Sequence, residues 1–222
     1  NRIIPKFAIM NPEYTLGLPK FQTAAGVADI LSHLLERYFS DVRNTDVTDY
    51  LIEGGIRALL ANGRKLMENP KDINARAEIQ WLASIAHNNL LDTGRISDWG
   101  SHRIEHELSA QYGITHGEGM AAVLPAWIKY AAKEKPWKPA QLNIRVFGGD
   151  AFIFTEEENA LQLADSLEHY FKQLGLKTRL GELGIDDENF ELMAERAVKN
   201  GAVGHYITLN KVRITDILNL AI

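Results

Sequence analysis

The chain has 222 residues, 45% hydrophobic and 24% charged, which is enough apolar material for one large domain or two small ones. A formal net charge of −5 leaves no basic face for nucleic acid, and the absence of Cys excludes disulfides, thiolate metal sites and cysteine nucleophiles. No apolar run reaches the roughly 18 residues of a membrane span and the first residues do not form a signal peptide, so the expected compartment is the reducing cytoplasm. The chain starts without Met and is expected to be part of something longer.

Residues 1–20 read as an extended arm, with the apolar run Phe7-Ala8-Ile9-Met10 ended by Asn11-Pro12 and the segment closed by Pro19. From residue 22 to 40, Val27, Ile30, Leu31, Leu34, Leu35 and Tyr38 recur at helical spacing. A second helix is predicted over 46–68, capped by Asp46 and stopped by Asn69-Pro70. A third covers 73–92, a fourth 97–112 with Ser97 or Asp98 as cap, and a fifth 117–132, interrupted by Pro125. A turn at 135–139 follows, then helices near 138–147, 156–174, 186–199 and 210–220, separated by Gly175, Gly181, Gly184, Gly201 and Gly204. Glu156, Glu157 and Glu158 suit the first turn of their helix through its dipole. The fold class is therefore all-α, a helical domain over 21–222 behind a short extended arm. No Gly-rich phosphate loop follows a strand, so the chain carries no dinucleotide-binding unit of its own.

Chemistry concentrates in five residues. Asp29 and His33 are four apart on one helix and leave from the same face. His102 and His106 repeat that spacing on the fourth helix. His116 follows past Gly113, where a tight turn can return it toward His102. One carboxylate and three imidazoles can close around a divalent metal, leaving a fourth histidine over. Apolar neighbours (Leu31, Leu34, Leu35, Ile104, Leu108) bury the set, and a buried Asp needs a partner. Such donors suit Fe(II), Zn(II) or another first-row ion, and residue type alone does not choose among them. Glu105 and Glu107 lie close in sequence, but neither is assigned as a base. His87 reads as a helix-packing residue, and His169 and His205 as surface or loop residues.

These segments also resemble a known family. Ala24-Ala25-Gly26-Val27-Ala28-Asp29-Ile30-Leu31-Ser32-His33, with Glu36 and Tyr38, looks like the first metal-ligand helix of the iron-containing (group III) alcohol dehydrogenases. His102-Arg103-Ile104-Glu105-His106-Glu107-Leu108, then Gly113-Ile114-Thr115-His116-Gly117 and Leu124-Pro125, resembles their second signature. Asn11-Pro12 and Leu18-Pro19 resemble the approach to the first helix, although Asp-Pro is more usual there. Leu174-Gly175-Leu176 and Glu182-Leu183-Gly184-Ile185 are also similar. Asp98-Trp99 and the His-Glu-Leu run look most like the butanol dehydrogenase or broad aldehyde reductase branch.

The resemblance implies the helical C-terminal domain shared with dehydroquinate synthase-like enzymes, without the N-terminal domain that holds NAD or NADP. It implies Asp29, His33, His102 and His116 as ligands of Fe(II) or Zn(II). His106 falls at the family's non-ligand histidine, which relays protons between substrate and nicotinamide. Tyr14 and Leu18 fall where the chain enters the helical domain and are candidates to line the cofactor cleft, with hinge packing as the other role. A small alcohol or aldehyde substrate, a homodimer, and no nucleic-acid or membrane partner are expected, as is inactivity of this chain on its own. The alternatives are a related enzyme of the dehydroquinate synthase or glycerol dehydrogenase type and an inactive metal-binding fragment. The first of these uses a Glu and two His, and a histidine at position 102 speaks against it.

Overall fold

The computed structural model describes residues 5–222; the first four residues of the expected arm lie outside the described residues. Among the described residues the α-helices are α1 (Lys20–Tyr38), α2 (Asp46–Glu68), α3 (Ile73–His87), α4 (Gly100–Tyr112), α5 (His116–Glu134), α6 (Trp137–Leu142), α7 (Glu156–Gln173), α8 (Phe190–Ala197) and α9 (Lys211–Leu220). No strand forms among them, only an isolated bridge between Val203 and Leu209. The all-α class expected from the periodicity is the class found. No helix among the described residues is long and apolar enough to cross a membrane.

Helix α5 is the axis of the domain. It packs on α1, α4, α7 and α9, and nearly every residue from Gly117 to Ile128 is buried. A helix that is apolar all round belongs inside a protein rather than on its surface. Pro125 sits within α5 without ending it, contrary to the expected interruption. An internal Pro costs about 3 kcal/mol, and burial on four sides outweighs that cost. Helix α1 runs against α2, α3 and α5 and supplies Leu31, Leu34, Leu35 and Tyr38 to the core. The Phe39 ring beyond its end stacks on Trp127 of α5 at 4.9 Å.

Helix boundaries follow local chemistry. Helix α2 has the predicted limits, but Asp46 is its first residue rather than its cap; there its carboxylate meets the helix dipole and Arg145 at 3.4 Å. The third helix stops at His87, because the Asn88 side chain takes the Leu90 N–H and starts a 3-10 turn, Asn89–Asp92. The turn expected at 135–139 already winds into α6 at Trp137, and a π-helical turn, Asn143–Phe147, continues it. Thr155 and Glu158 form a reciprocal capping box at the start of α7.

The arm is not extended throughout. Asn11 accepts the Glu13 N–H, Pro12 presets the first turn, and Pro12–Thr15 forms a 3-10 turn. Phe7 and Ile9 before it are more than four-fifths exposed.

A buried polar network braces α1, α2 and α6. Asp49 accepts from Arg95 at 2.8 Å, from Gln141 at 2.9 Å and from Lys138, while Tyr38 donates to Glu53 at 2.7 Å. Asp49, Arg95 and Lys138 are all buried, so each charge depends on the others.

Candidate metal centre

Two glycines let α5 approach its neighbours closely enough to build the site. A Cβ at Gly117 would stand 2.0 Å from the Ala25 carbonyl oxygen of α1, and one at Gly119 would stand 2.4 Å from Glu105 Oε1 of α4. His116, the first residue of α5, is thereby set beside both helices. Gly113, at φ +66°, closes α4 and turns the chain back as the sequence implied.

The four proposed ligands converge. Asp29 Oδ1 lies 3.2 Å from His116 Nε2 and 3.7 Å from His33 Nε2. Donor atoms of Asp29, His102 and His116 all fall within 4.8 Å of one another. The His33 and His102 rings meet edge to face at 4.6 Å, and the His102 and His116 centroids are 5.3 Å apart. His106 stands at the border of this group, 5.5 Å from the His116 ring and 6.1 Å from that of His102. Tyr14 and Leu18 are not brought into the cluster. Tyr14 is largely exposed on the arm, and Leu18 lines a separate apolar cavity of about 200 Å³ with Ile30, Ile79 and Ala83.

One atom tests whether the group fits a metal. His102 Nε2 is buried without a hydrogen-bond partner, and the buried Asp29 Oδ1 beside it faces only the His116 and His33 imidazoles. A native protein seldom leaves buried acceptors orphaned unless something else occupies them. For His102 the tautomer is fixed by its other nitrogen, since Nδ1 faces Glu36 Oε1 at 2.9 Å. A carboxylate only accepts, so Nδ1 carries the proton and Nε2 presents a lone pair to Asp29 and His116. One carboxylate oxygen and three imidazole nitrogens suit a divalent first-row ion, and the residues present fit it.

Electrostatics in the metal-free site agree. Burial raises the Asp29 carboxyl, but the His116 and His87 imidazoles outweigh it and hold Asp29 well below the ordinary carboxylate range. Burial, with His102 beside it, pushes His33 down to about 3, which keeps it a neutral ligand. Asp29 and Glu105 push His116 up to about 10, a proton standing where a metal cation would stand. Partial burial lowers His106 below its usual value.

The sequence reading missed three neighbours. His87 is not simply a packing residue. It closes α3 with Nε2 3.3 Å from Asp29 Oδ2, Nδ1 2.8 Å from the Ala83 carbonyl and its ring 3.9 Å from that of His33. Only the packing of α3 on α1 brings it there. Glu36 and Glu105 are fully buried carboxylates behind His102 and His116. Their signal was legible as charged residues on helix faces that are otherwise apolar. The other histidines lie as expected, His169 exposed on α7 and His205 in the loop before α9.

Asp98 and Trp99, singled out by the resemblance, do structural work around the site. Asp98 Oδ1 accepts the N–H groups of His205 and Tyr206 at 2.9 and 2.7 Å, tying the 201–209 loop to α4. The cap expected at Ser97 or Asp98 falls on Trp99, which is left-handed at φ +65°. Its ring lies over the Arg37 guanidinium at 4.9 Å and edge-on to His33 at 5.4 Å.

Fold and site together define an all-helical domain with a half-buried carboxylate–imidazole cluster. The model of the Fe-containing alcohol dehydrogenase family, C-terminal, matches residues 23–222, and the chain belongs to that family. It is 39% identical over 219 residues to NADH-dependent butanol dehydrogenase A of Clostridium acetobutylicum, covering 97% of this chain and 55% of that protein. It is 35% identical over 220 residues to a probable NADH-dependent butanol dehydrogenase of Bacillus subtilis, covering 99% and 57%. The solved substrate- and cofactor-free aldehyde reductase YqhD of Escherichia coli superposes with a TM-score of 0.91 at 30% identity, over 98% of this chain and 57% of that one. The chain spans about half the length of the curated relatives it matches.

Proposed function

We propose that this chain is the metal-binding part of an NAD(P)-linked alcohol dehydrogenase that interconverts small alcohols and aldehydes. The observation that supports it most is the orphaned, buried Nε2 of His102 converging with Asp29 and His116, with the His33 ring packed edge to face against it. These four residues would hold the ion, Fe(II) in keeping with the family name or Zn(II) on donor chemistry alone. Once bound, it would act as a Lewis acid toward the substrate oxygen, while the redox change belongs to the nicotinamide. The nicotinamide would be held mainly by residues outside these 222. Butanol dehydrogenase and aldehyde reductase are the named activities of the relatives and set the substrate class proposed here.

The chain's own residues then have distinct tasks. His33, kept neutral by burial, offers a lone pair rather than a competing charge. His106, exposed at the border of the cage and neutral at pH 7, is placed to take the alcohol proton and return it in the reverse direction. Leu18 and Tyr14 are proposed to face the cofactor from the arm. The working form is proposed to be a cytoplasmic homodimer.

Replacing His106 separates these tasks. In a protein that also carries the nicotinamide-binding part, His106→Ala should keep the metal and slow alcohol oxidation about 100-fold or more with an altered pH profile, as for loss of a general acid–base group. A His106→Ala protein that loses its metal would instead make His106 a ligand and overturn the division of roles.

A further inference from the structure

Behind His102 stands a carboxylate with no place in the chemistry so far. Glu36 is 1% exposed on α1, and four donors point at it. Oε1 accepts from Ser101 Oγ at 2.6 Å, from His102 N at 2.9 Å and from His102 Nδ1 at 2.9 Å. Oε2 accepts the Trp99 N–H at 2.6 Å. The Glu36 carbonyl also takes the Asp98 N–H at 2.9 Å. The first turn of α4 is thus seated on one side chain of α1.

That seat has a conformational cost. Trp99 is a non-glycine residue in the left-handed region, where an L side chain is disfavoured. Its N–H points at Oε2 in this conformation. The strained residue and the imidazole share one acceptor group, so the entry of α4 and the orientation of His102 are set together. His116 has a parallel arrangement: its Nδ1 contacts Glu105 Oε2, and Glu105 Oε1 accepts from Ser109 Oγ.

We propose that Glu36 is a positioning residue for the metal centre: it fixes the tautomer and ring direction of His102 and the entry turn of α4, with Glu105 holding the ring direction of His116. The proposal rests on the metal-centre reading above. A histidine ligand whose far nitrogen is held by a carboxylate is a stronger and better-aimed donor, and loss of such a partner typically lowers metal affinity 10–100-fold.

The amide of Gln presents lone pairs from one atom only, so Glu36→Gln cannot satisfy donors at both oxygens. Two measurements decide the matter. Nitrogen-15 NMR of the metal-free wild type should place the His102 proton on Nδ1, a result that needs no variant to fold. Titration with Co(II) alone, followed by its d–d absorption with a competing chelator, should show Glu36→Gln binding about 10–100-fold more weakly with a changed spectrum. Glu105→Gln should behave likewise. A His102 proton on Nε2, or a Glu36→Gln protein with wild-type affinity and spectrum, would overturn the proposal. A wild type that binds no Co(II) would instead overturn the metal reading on which it rests.

Discussion

Gly117→Ala probes how the fold makes the site. The new Cβ would stand 2.0 Å from the Ala25 carbonyl oxygen, 2.6 Å from its carbon and 2.9 Å from its Cα, where ordinary contact begins at 3.4 Å. All three atoms are backbone, so no side chain can turn aside; α5 must withdraw from α1 by more than 1 Å. Ala gains up to about 1 kcal/mol over Gly in a helix, whereas overpacking of this kind costs about 1–3 kcal/mol or more. The overlap is severe, so destabilisation should win, by about 1–2 kcal/mol net. For a chain of this size that lowers Tm by about 2–8 °C. The neighbouring His116 moves with the helix, and its 3.2 Å approach to Asp29 widens. Metal affinity should then fall at least about tenfold, or about 1.4 kcal/mol. Thermal melts of the metal-free protein and Co(II) titration measure the two effects. A Gly117→Ala protein with unchanged Tm and unchanged affinity would refute the claim that this close approach sets the cage.

Other consequences are more direct. Asp49→Ala leaves Arg95 and Lys138 buried without their shared acceptor and should cost about 3–5 kcal/mol in urea unfolding; a loss under 1 kcal/mol would mean the network is solvated. Metal binding should depend on pH through His116. Asp29 and Glu105 raise it from 6.5 to about 10, so the metal-free fold gains stability from this group below pH 6.5 and loses it as the pH climbs through 10. The metal competes with that proton, so affinity should rise with pH, close to tenfold per unit between about pH 6 and 8. His33, already neutral, contributes none of this slope. A flat profile by chelator competition would contradict the assignment of His116.

Much of this was legible along the chain. Asp29 and His33, and His102 and His106, are four apart, and one helical turn puts such pairs on one face whatever the tertiary fold. The limits of α2 were equally local, set by an acidic start and Asn69-Pro70. Pro125 misled because its penalty is local while the burial that overrides it belongs to the whole bundle. His87 was opaque for the same reason: nothing within α3 reveals that its last residue will rest on Asp29. Trp99 was opaque because a left-handed non-glycine is held by Glu36, 63 residues away. Glu36 itself was visible as an acid among Leu34, Leu35 and Tyr38, but its four donors appear only once α4 is docked.

Asp29, His33, His102 and His116 are proposed to form one metal cage. Elemental analysis of anaerobically purified wild type and Asp29→Ala, paired with circular dichroism to establish that both fold, tests it most directly. Roughly one first-row metal ion per wild-type chain is expected, and little or none in Asp29→Ala. Folded wild type without metal, or equal metal in both proteins, would contradict it.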